Sequence, residues 1–562
     1  MKRRNFITLS VAGGVGVVFS PFIISCRKKL LGSITGQAEL SADVVIAGGG
    51  LGGCAAALAV LRNGLSVIMT EETDWVGGQL AQQCVPPDEH QWIETQGATQ
   101  LYRTLRHNIR QYYRSYYPLT AAANAQSYLN PGNGWVSRLC CEPKVAQAVL
   151  REMLEPYISA GQLTLLTEHK AAAADVDGDR VRALKVKHVR SKAETVLVAS
   201  YFVDATELGD LLPMTGTEYV SGAESQAETR EMHALAVANP LNQQAFTVCF
   251  ALTYDKNGVH TIQKPAEYDF WRNFVPPLTP PWSGNLLDLA YCNPRTLERR
   301  LMDFHPDGGA TTNPNWWTYR RIIDKNNFTA GAYNGDITIV NWPQNDYMLG
   351  NLDGAEEEFA QHVARAKQLN LSLLYWLQTE APRPGGGYGW PGLMLLSSAT
   401  GTADGMAKYP YVRESRRIKA EFTVLEEHIG KENRLLVSGM DTAPDFYDSV
   451  GVGYYPLDLH PSTQGNNYLD FDALRFQIPM GALLPKRMEN LLPANKNIGT
   501  THLTNGCFRL HPVEWNIGES AGMLAAYACQ KKVSPRAVRH TPSLLEDFQR
   551  TIQNQGVQTV WM

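Results

Sequence analysis

A ten-residue stretch near the C-terminal end concentrates acid–base chemistry. His502, Asn505, Arg509 and His511 all fall within it, and Pro512 follows at once. A histidine titrates close to neutral pH, so it can take a proton from a hydroxyl or amine while the adjacent C–H bond breaks. Arg509 offers a planar fork of donors suited to a carboxylate. Asp458 and His460 form a second small group upstream. Each candidate also has a plainer reading. Arg509 can pair with Glu514 or Asp458, His511 can anchor the start of a helix, and Glu414, Arg416 and Arg417 read as an ion-pair network.

Such groups need a scaffold, and the clearest one lies at the other end of the chain. Asp43–Ala47 is a short apolar run of buried-strand type. It leads into Gly48-Gly49-Gly50-Leu51-Gly52-Gly53, which satisfies GxGxxG through Gly48, Gly50 and Gly53. An Ala/Leu-rich helical stretch follows, and Ser66–Thr70 reads as a second strand ending at Glu71. Gly48 allows the tight turn, Gly50 lets backbone approach a pyrophosphate, and Gly53 permits close helix–strand packing. The helix N-terminus offers free N–H groups to the phosphates, and Glu71 can accept from ribose hydroxyls. A lone glycine motif is weak, but strand, glycines, helix, strand and acid in this order specify a dinucleotide-binding unit.

Composition narrows the rest. The 562 residues allow about three domains at typical domain sizes. Lys+Arg 51 against Asp+Glu 55 gives a net charge of −4, which leaves no basic surface for nucleic acid. With 44% hydrophobic and 19% charged residues the chain is globular. Its nine cysteines show no metal-type spacing, so no metal is expected. Cys84 stands alone before Cys140-Cys141, which argues against a redox-active disulfide. Cys140 and Cys141 read as buried thiols, because a vicinal disulfide is strained.

The N-terminus reads as an export signal: Lys2, Arg3 and Arg4 precede an apolar run from Phe6 to Ile24. Arg3-Arg4-Asn5-Phe6-Ile7 resembles a twin-arginine motif, and Ile23-Ile24-Ser25-Cys26 a lipobox in which Cys26 takes the lipid. The expectation is a lipoprotein anchored at the periplasmic face of a bacterial membrane. The competing reading is an uncleaved N-terminal anchor.

Further motifs resemble flavoproteins of the glutathione-reductase type. Gly77-Gly78-Gln79 stands where those proteins carry a second glycine pair, and Phe202–Asp210 resembles their strand-plus-ATG segment, with Asp204, Thr206 and Asp210 toward the cofactor. Pro512 and the small residues Gly518 and Ala521 resemble the closing helix that points at the flavin. With Gly134–Arg138, Tyr411–Arg417 and Gly453–His460, the chain is similar to the broad family of bacterial FAD-dependent oxidoreductases, some of them described as xanthan-lyase-related. The resemblance implies FAD as cofactor and an α/β fold. A Rossmann-like FAD domain would be built from discontinuous segments, with an inserted α+β substrate or cap region. It places the active site between that region and the segment preceding the last helix. Two departures stand out: Glu207 replaces a glycine of the ATG segment, and Asn495 and Asn497 interrupt the pattern after Leu492.

The organisation expected is a signal over 1–26, a tether over 27–42, and the FAD domain over 43–240 and 411–532. A substrate region fills 241–410, and a helical tail covers 533–562. Seven of the twelve tryptophans lie between 271 and 390, most reading as core and one or two as pocket wall. Gly385–Gly389 follows Ala-Pro-Arg-Pro and no strand, so it reads as a loop. The activity expected is hydride transfer from a small organic substrate, a sugar, polyol or amine, to flavin. Reoxidation would be by oxygen, a quinone or a protein carrier. The alternative is a flavoprotein with a non-redox or electron-relay role, or a polysaccharide-processing protein with structural flavin. With one glycine unit only, NADH and NADPH are not expected to drive it.

Overall fold

The apolar run after Asp43 forms β1 (Val44–Ala47), buried at every residue, as suits a strand covered on both faces. In this computed structural model residues 38–306 and 315–562 are described. The twin-arginine stretch, Cys26 and most of the expected tether therefore lie outside the described residues. β1 passes through the glycine loop into α1 (Leu51–Arg62), and β2 (Val67–Glu71) returns parallel to β1 with Val44 opposite Val67. β3 (Leu163–Thr167), β4 (Tyr201–Asp204) and β5 (Leu491–Pro493) complete a parallel sheet in the order β5-β4-β1-β2-β3. Since β5 comes from the far end of the chain, the sheet is assembled from discontinuous segments. The crevice beyond the carboxyl ends of such strands is where ligands bind.

α2 (His511–Lys531) lies along α1, and both helices are buried almost throughout. Their small residues exist for this contact. A Cβ on Gly518 would sit 2.0 Å from the Gly52 carbonyl oxygen, and one on Gly522 2.4 Å from that of Ala56. Gly518 is therefore a helix-packing residue facing Gly52 and does not line the cofactor cleft. Ala521 is likewise sealed in the core. Both expectations of cofactor contact are corrected by the closeness of the two helices.

His169–Asp177, Arg180–His188 and Glu194–Val198 form an antiparallel meander beside the parallel sheet. Ala38–Ser41, expected as the end of a tether, instead pairs in parallel with Glu194–Val198. The stretch over 241–410 is built on an antiparallel sheet, ordered Arg321–Ile323, Ile337–Val340, Phe250–Tyr254, Leu393–Leu395. The helix Glu356–Thr379 accompanies it. The seven tryptophans between 271 and 390 are all buried in or beside this region's own core, and Trp316 also reaches a cavity. Gly385, Gly386 and Gly387 adopt positive φ in a loop. Pro535–His540 and Pro542–Asn554 end the chain as helices, the second burying Leu545, Phe548 and Ile552.

Candidate active site

The glycine loop between β1 and α1 is shaped by its own backbone. Gly48 has φ +100°, and a Cβ there would lie 2.2 Å from the Ala205 carbonyl oxygen. The second glycine pair packs onto this loop: the Gly77 N–H donates to the Gly49 carbonyl at 2.7 Å, and a Cβ on Gly78 would lie 2.9 Å from the Gly50 Cα. Glu71 accepts from the Gly49 N–H at 3.0 Å and from the Thr73 N–H at 2.8 Å. Burial pushes its carboxyl up to about 7 despite those donors.

A cleft opens here, lined by Gly48, Gly50, Glu71, Thr206, Asp210 and Gln83 among others. Both amide atoms of Gln83 are buried without a partner, as are Gln82 Oε1 and Glu207 Oε1. Buried polar atoms are normally hydrogen-bonded, so these unpaired groups fit a polar ligand such as the adenosine and pyrophosphate of FAD. Two acids at the loop bear on that fit. Glu207 is held by the Lys496 ammonium at 2.6 Å. Glu514 accepts from the Gly52 N–H at 3.0 Å and from Gln79. Burial, with Glu207 adding repulsion, pushes Glu514 up to about 7, so it can stand protonated beside an anionic ligand. The residues present fit FAD. Asp204 does not reach the cleft. It is spent on the Thr206 N–H and hydroxyl and on the Leu211 N–H, tying down the turn after β4.

A second cavity, of about 260 Å³, lies one segment away. Gln79 of the glycine pair donates to the Arg509 carbonyl at 3.0 Å, and the Arg509 side chain lines this cavity. Its walls carry five arginines, Arg295, Arg300, Arg320, Arg413 and Arg509, against three aspartates, Asp88, Asp458 and Asp470. Arg509 donates to the Tyr411 hydroxyl at 2.7 Å and to Asp458 at 3.1 Å. His460 lines the cavity and donates from Nδ1 to Asp346 Oδ2 at 2.6 Å. Asp346 is fully buried and also holds Arg413 at 3.0 Å and the Thr247 hydroxyl at 2.5 Å. Burial and the Arg413 charge lower the His460 pKa below its ordinary value, against the pull of Asp346. His460 is thus a neutral, oriented imidazole facing a polar cavity.

The other candidates from the C-terminal stretch do not meet there. His502 holds Glu414 through Nδ1 at 2.9 Å and lines a different cavity, of about 240 Å³, which it shares with His460. His511 accepts from the Asp88 N–H at Nδ1 and donates from Nε2 to the Val85 carbonyl. Both its nitrogens are used, burial holds it down to about 4, and it is a structural anchor. Asn505 donates to the Arg413 carbonyl at 2.9 Å and lines neither cavity. His502 and Asn505 sit on the helix His502–Phe508, whereas His511 begins the next helix. Sequence reasoning missed Asp346 and Arg320, which sit in segments without motif spacing. Among the described residues, no group of His, Cys, Asp or Glu is arranged to hold a metal.

A sequence profile described as FAD dependent oxidoreductase matches residues 43–552. No curated protein matches the chain. Among solved structures, the OxyS anhydrotetracycline hydroxylase from Streptomyces rimosus is 10% identical with TM-score 0.33, over 92% of this chain and 66% of that one. A mutant of E. coli quinol fumarate reductase FrdA is 11% identical with TM-score 0.32, over 92% and 74%. L-proline dehydrogenase from P. horikoshii is 16% identical with TM-score 0.16, over 33% and 24%. The chain thus spans about a quarter of this last protein's length, and 36% of the flavin-dependent monooxygenase PieE.

Proposed function

The chain belongs to the FAD-dependent oxidoreductase family, and from that premise we propose that it oxidises a small organic substrate in the cavity at His460. FAD, when bound, supplies the acceptor for the electron pair and hydrogen of the substrate's C–H bond. The observation that carries the reading is the His460–Asp346 pair, opening on a cavity that Arg509 joins to the glycine cradle. Asp346 keeps the proton of His460 on Nδ1, which leaves Nε2 free to take the substrate's hydroxyl or amine proton. Asp346 is a positioning residue, buried so that it points one way. Tyr411 accepts from Arg509, so its own hydroxyl hydrogen is available to the cavity.

Support for redox over an electron-relay role lies in the combination of a neutral base with a polar cavity. The test is anaerobic mixing of the holoprotein with sugars, polyols, hydroxy acids and amines. Loss of the visible flavin bands with one of them, abolished in His460→Ala, is expected. Full bands with every compound would refute the reading.

Export and lipid anchoring through Arg3, Arg4 and Cys26 are part of the same proposal, since twin-arginine export carries proteins already loaded with cofactor. The double change Arg3→Lys, Arg4→Lys is expected to hold the protein inside the cell. Normal export of that variant, or no lipid label on Cys26, would count against it.

A further inference from the structure

The charged groups of the cavity at His460 are spent largely on one another. Arg509 pairs with Asp458, Arg320 with Asp88 and Arg295 with Asp470, at 3.1, 3.1 and 3.2 Å. Arg413 is taken by Asp346. What remains for a ligand is hydrogen bonding without net charge. Asp458 gives Oδ2 to Arg509 and Asp88 gives Oδ1 to Arg320. The second oxygen of each carboxylate has no partner among the described residues and is not sealed in the protein. The hydroxyls of Tyr319 and Tyr455, on the same wall, are in the same state. Free carboxylate oxygens repel an anion and call for O–H donors, the arginines repel an ammonium, and phenol hydroxyls both give and take.

Spacing and shape narrow the ligand further. His460 Nε2 lies 3.8 Å from Asp458 Oδ2, so base and carboxylate stand side by side. Two neighbouring hydroxyls on one ring can reach both, one at Nε2 and one at Asp458. Aromatic faces supply much of the remaining wall. Tyr291, Trp316, Tyr319 and Trp135 form a continuous strip along the cavity, with successive ring centroids 5.1, 6.1 and 5.8 Å apart. The strip runs from Trp316, 1% exposed, to Trp135, 57% exposed. Trp135 is held at this rim by its backbone N–H, which donates to the Thr318 and Tyr319 carbonyls at 3.1 Å. A large aromatic face left in water beside a polar cavity is a platform for a ligand with an apolar face of its own.

We propose that the substrate is a carbohydrate of at least two sugar units, the ring being oxidised lying at His460 and Asp458 and the next unit stacking on Trp135. This rests on the redox reading above and names its substrate class. A ring carbon bearing a hydroxyl becomes a ketone. The O–H proton goes to His460 Nε2, and the C–H hydrogen leaves with its electron pair to the bound flavin. The C–H face of a sugar ring matches the aromatic strip, and its other hydroxyls match the free oxygens of Asp458, Asp88, Tyr319 and Tyr455. A small aliphatic alcohol or acid offers neither.

The experiment uses the holoprotein under anaerobic conditions. Cellobiose, lactose, maltose, mannobiose and xylobiose are compared as reductants with the methyl glycosides of the same sugars, and 2-butanol and 2-hydroxybutyrate serve as ring-free controls. Loss of the flavin bands reads oxidation, and calorimetry with the oxidised holoprotein reads binding. At least one disaccharide is expected to bleach the flavin at a half-saturating concentration about tenfold below that of its methyl glycoside, the scale of one stacked aromatic contact. Trp135→Ala is expected to erase that difference, and because the side chain stands more than half in water its loss opens no cavity in the core. If a ring-free compound bleaches the flavin in a His460-dependent way while no glycoside binds or bleaches, the carbohydrate assignment is overturned and the redox reading stands. If disaccharides bind, and bind more weakly to Trp135→Ala, but no compound bleaches the flavin, the sugar site stands and the redox reading falls. Equal half-saturation for disaccharides and methyl glycosides would overturn the second sugar subsite at Trp135.

Discussion

His460 is tied through Nδ1 to the buried Asp346 at 2.6 Å, and this single bond fixes the imidazole in the wall of the cavity. With the Nδ1 proton engaged, only Nε2 is left for the cavity. No such arrangement exists at His511, where two backbone groups occupy both nitrogens.

Replacing His460 by Ala should leave FAD bound yet slow flavin reduction by roughly 10²–10⁴-fold, the usual scale of lost general-base help. His502→Ala should leave the rate within a few-fold, because its ring holds Glu414 and lines the neighbouring cavity. Stopped-flow absorbance with a reducing substrate separates the two. Equal losses in both would place the base wrongly.

The pH profile carries the sign of the His460 shift. Its conjugate acid loses its proton below the ordinary histidine value, so flavin reduction should be flat above about pH 6.5 and fall on the acid side. Asp346→Asn removes the one neighbour directly bonded to the imidazole that favours the charged ring. The acid limb should then move to lower pH while the plateau rate drops. A merely structural role for Asp346 would lower the plateau without moving the limb.

Cofactor content should respond sharply at Gly50. A Cβ there would lie 3.2 Å from Glu207 Oε1 and 3.4 Å from Glu514 Oε1, and a valine would fill the cleft the pyrophosphate needs. Gly50→Val is expected to purify folded and colourless. Glu71→Ala should weaken FAD by about 1.5–3 kcal/mol, as for a charged acceptor, read by flavin fluorescence on dilution. A yellow Gly50→Val protein would remove the cradle assignment.

Acid stability should depend on Glu414. Burial alone would raise this carboxyl, but His502 and Arg417, the latter at 2.5 Å, outweigh burial and hold it at about 2. Its folded pKa lies below the unfolded value, so its contribution is present above about pH 4.5 and is lost as pH falls toward 2. Urea midpoints should therefore decline over that window in the native chain and decline less in Glu414→Gln. Parallel declines would show that the pair does not contribute.

Much of the cofactor half was legible along the chain. Gly48, Gly50, Gly53 and Glu71 are neighbours in sequence because one strand, one turn and one helix build that half of the cleft, so local spacing encodes it. The second glycine pair was legible for the same reason, lying just past β2. Gly518 was misjudged because a small residue in a buried helix can face a ligand or another helix, and only the position of α1 chooses between them. The catalytic half reads differently. Two histidines and an arginine within ten residues looked like one site, yet His502 turns to Glu414, His511 starts the next helix with both nitrogens on backbone groups, and of the three only Arg509 lines the cavity. His460 meets Asp346, and through it Arg413, from separate segments of the chain.

By itself, then, the sequence determined the parallel-sheet scaffold, its glycine loop and the flavin cofactor, because these depend on residues close together in the chain. The tertiary structure alone decided which histidine lines the cavity and which carboxylate it is bonded to. Those are properties of side chains brought together from distant segments, and their burial and mutual charge exist only once those segments pack together.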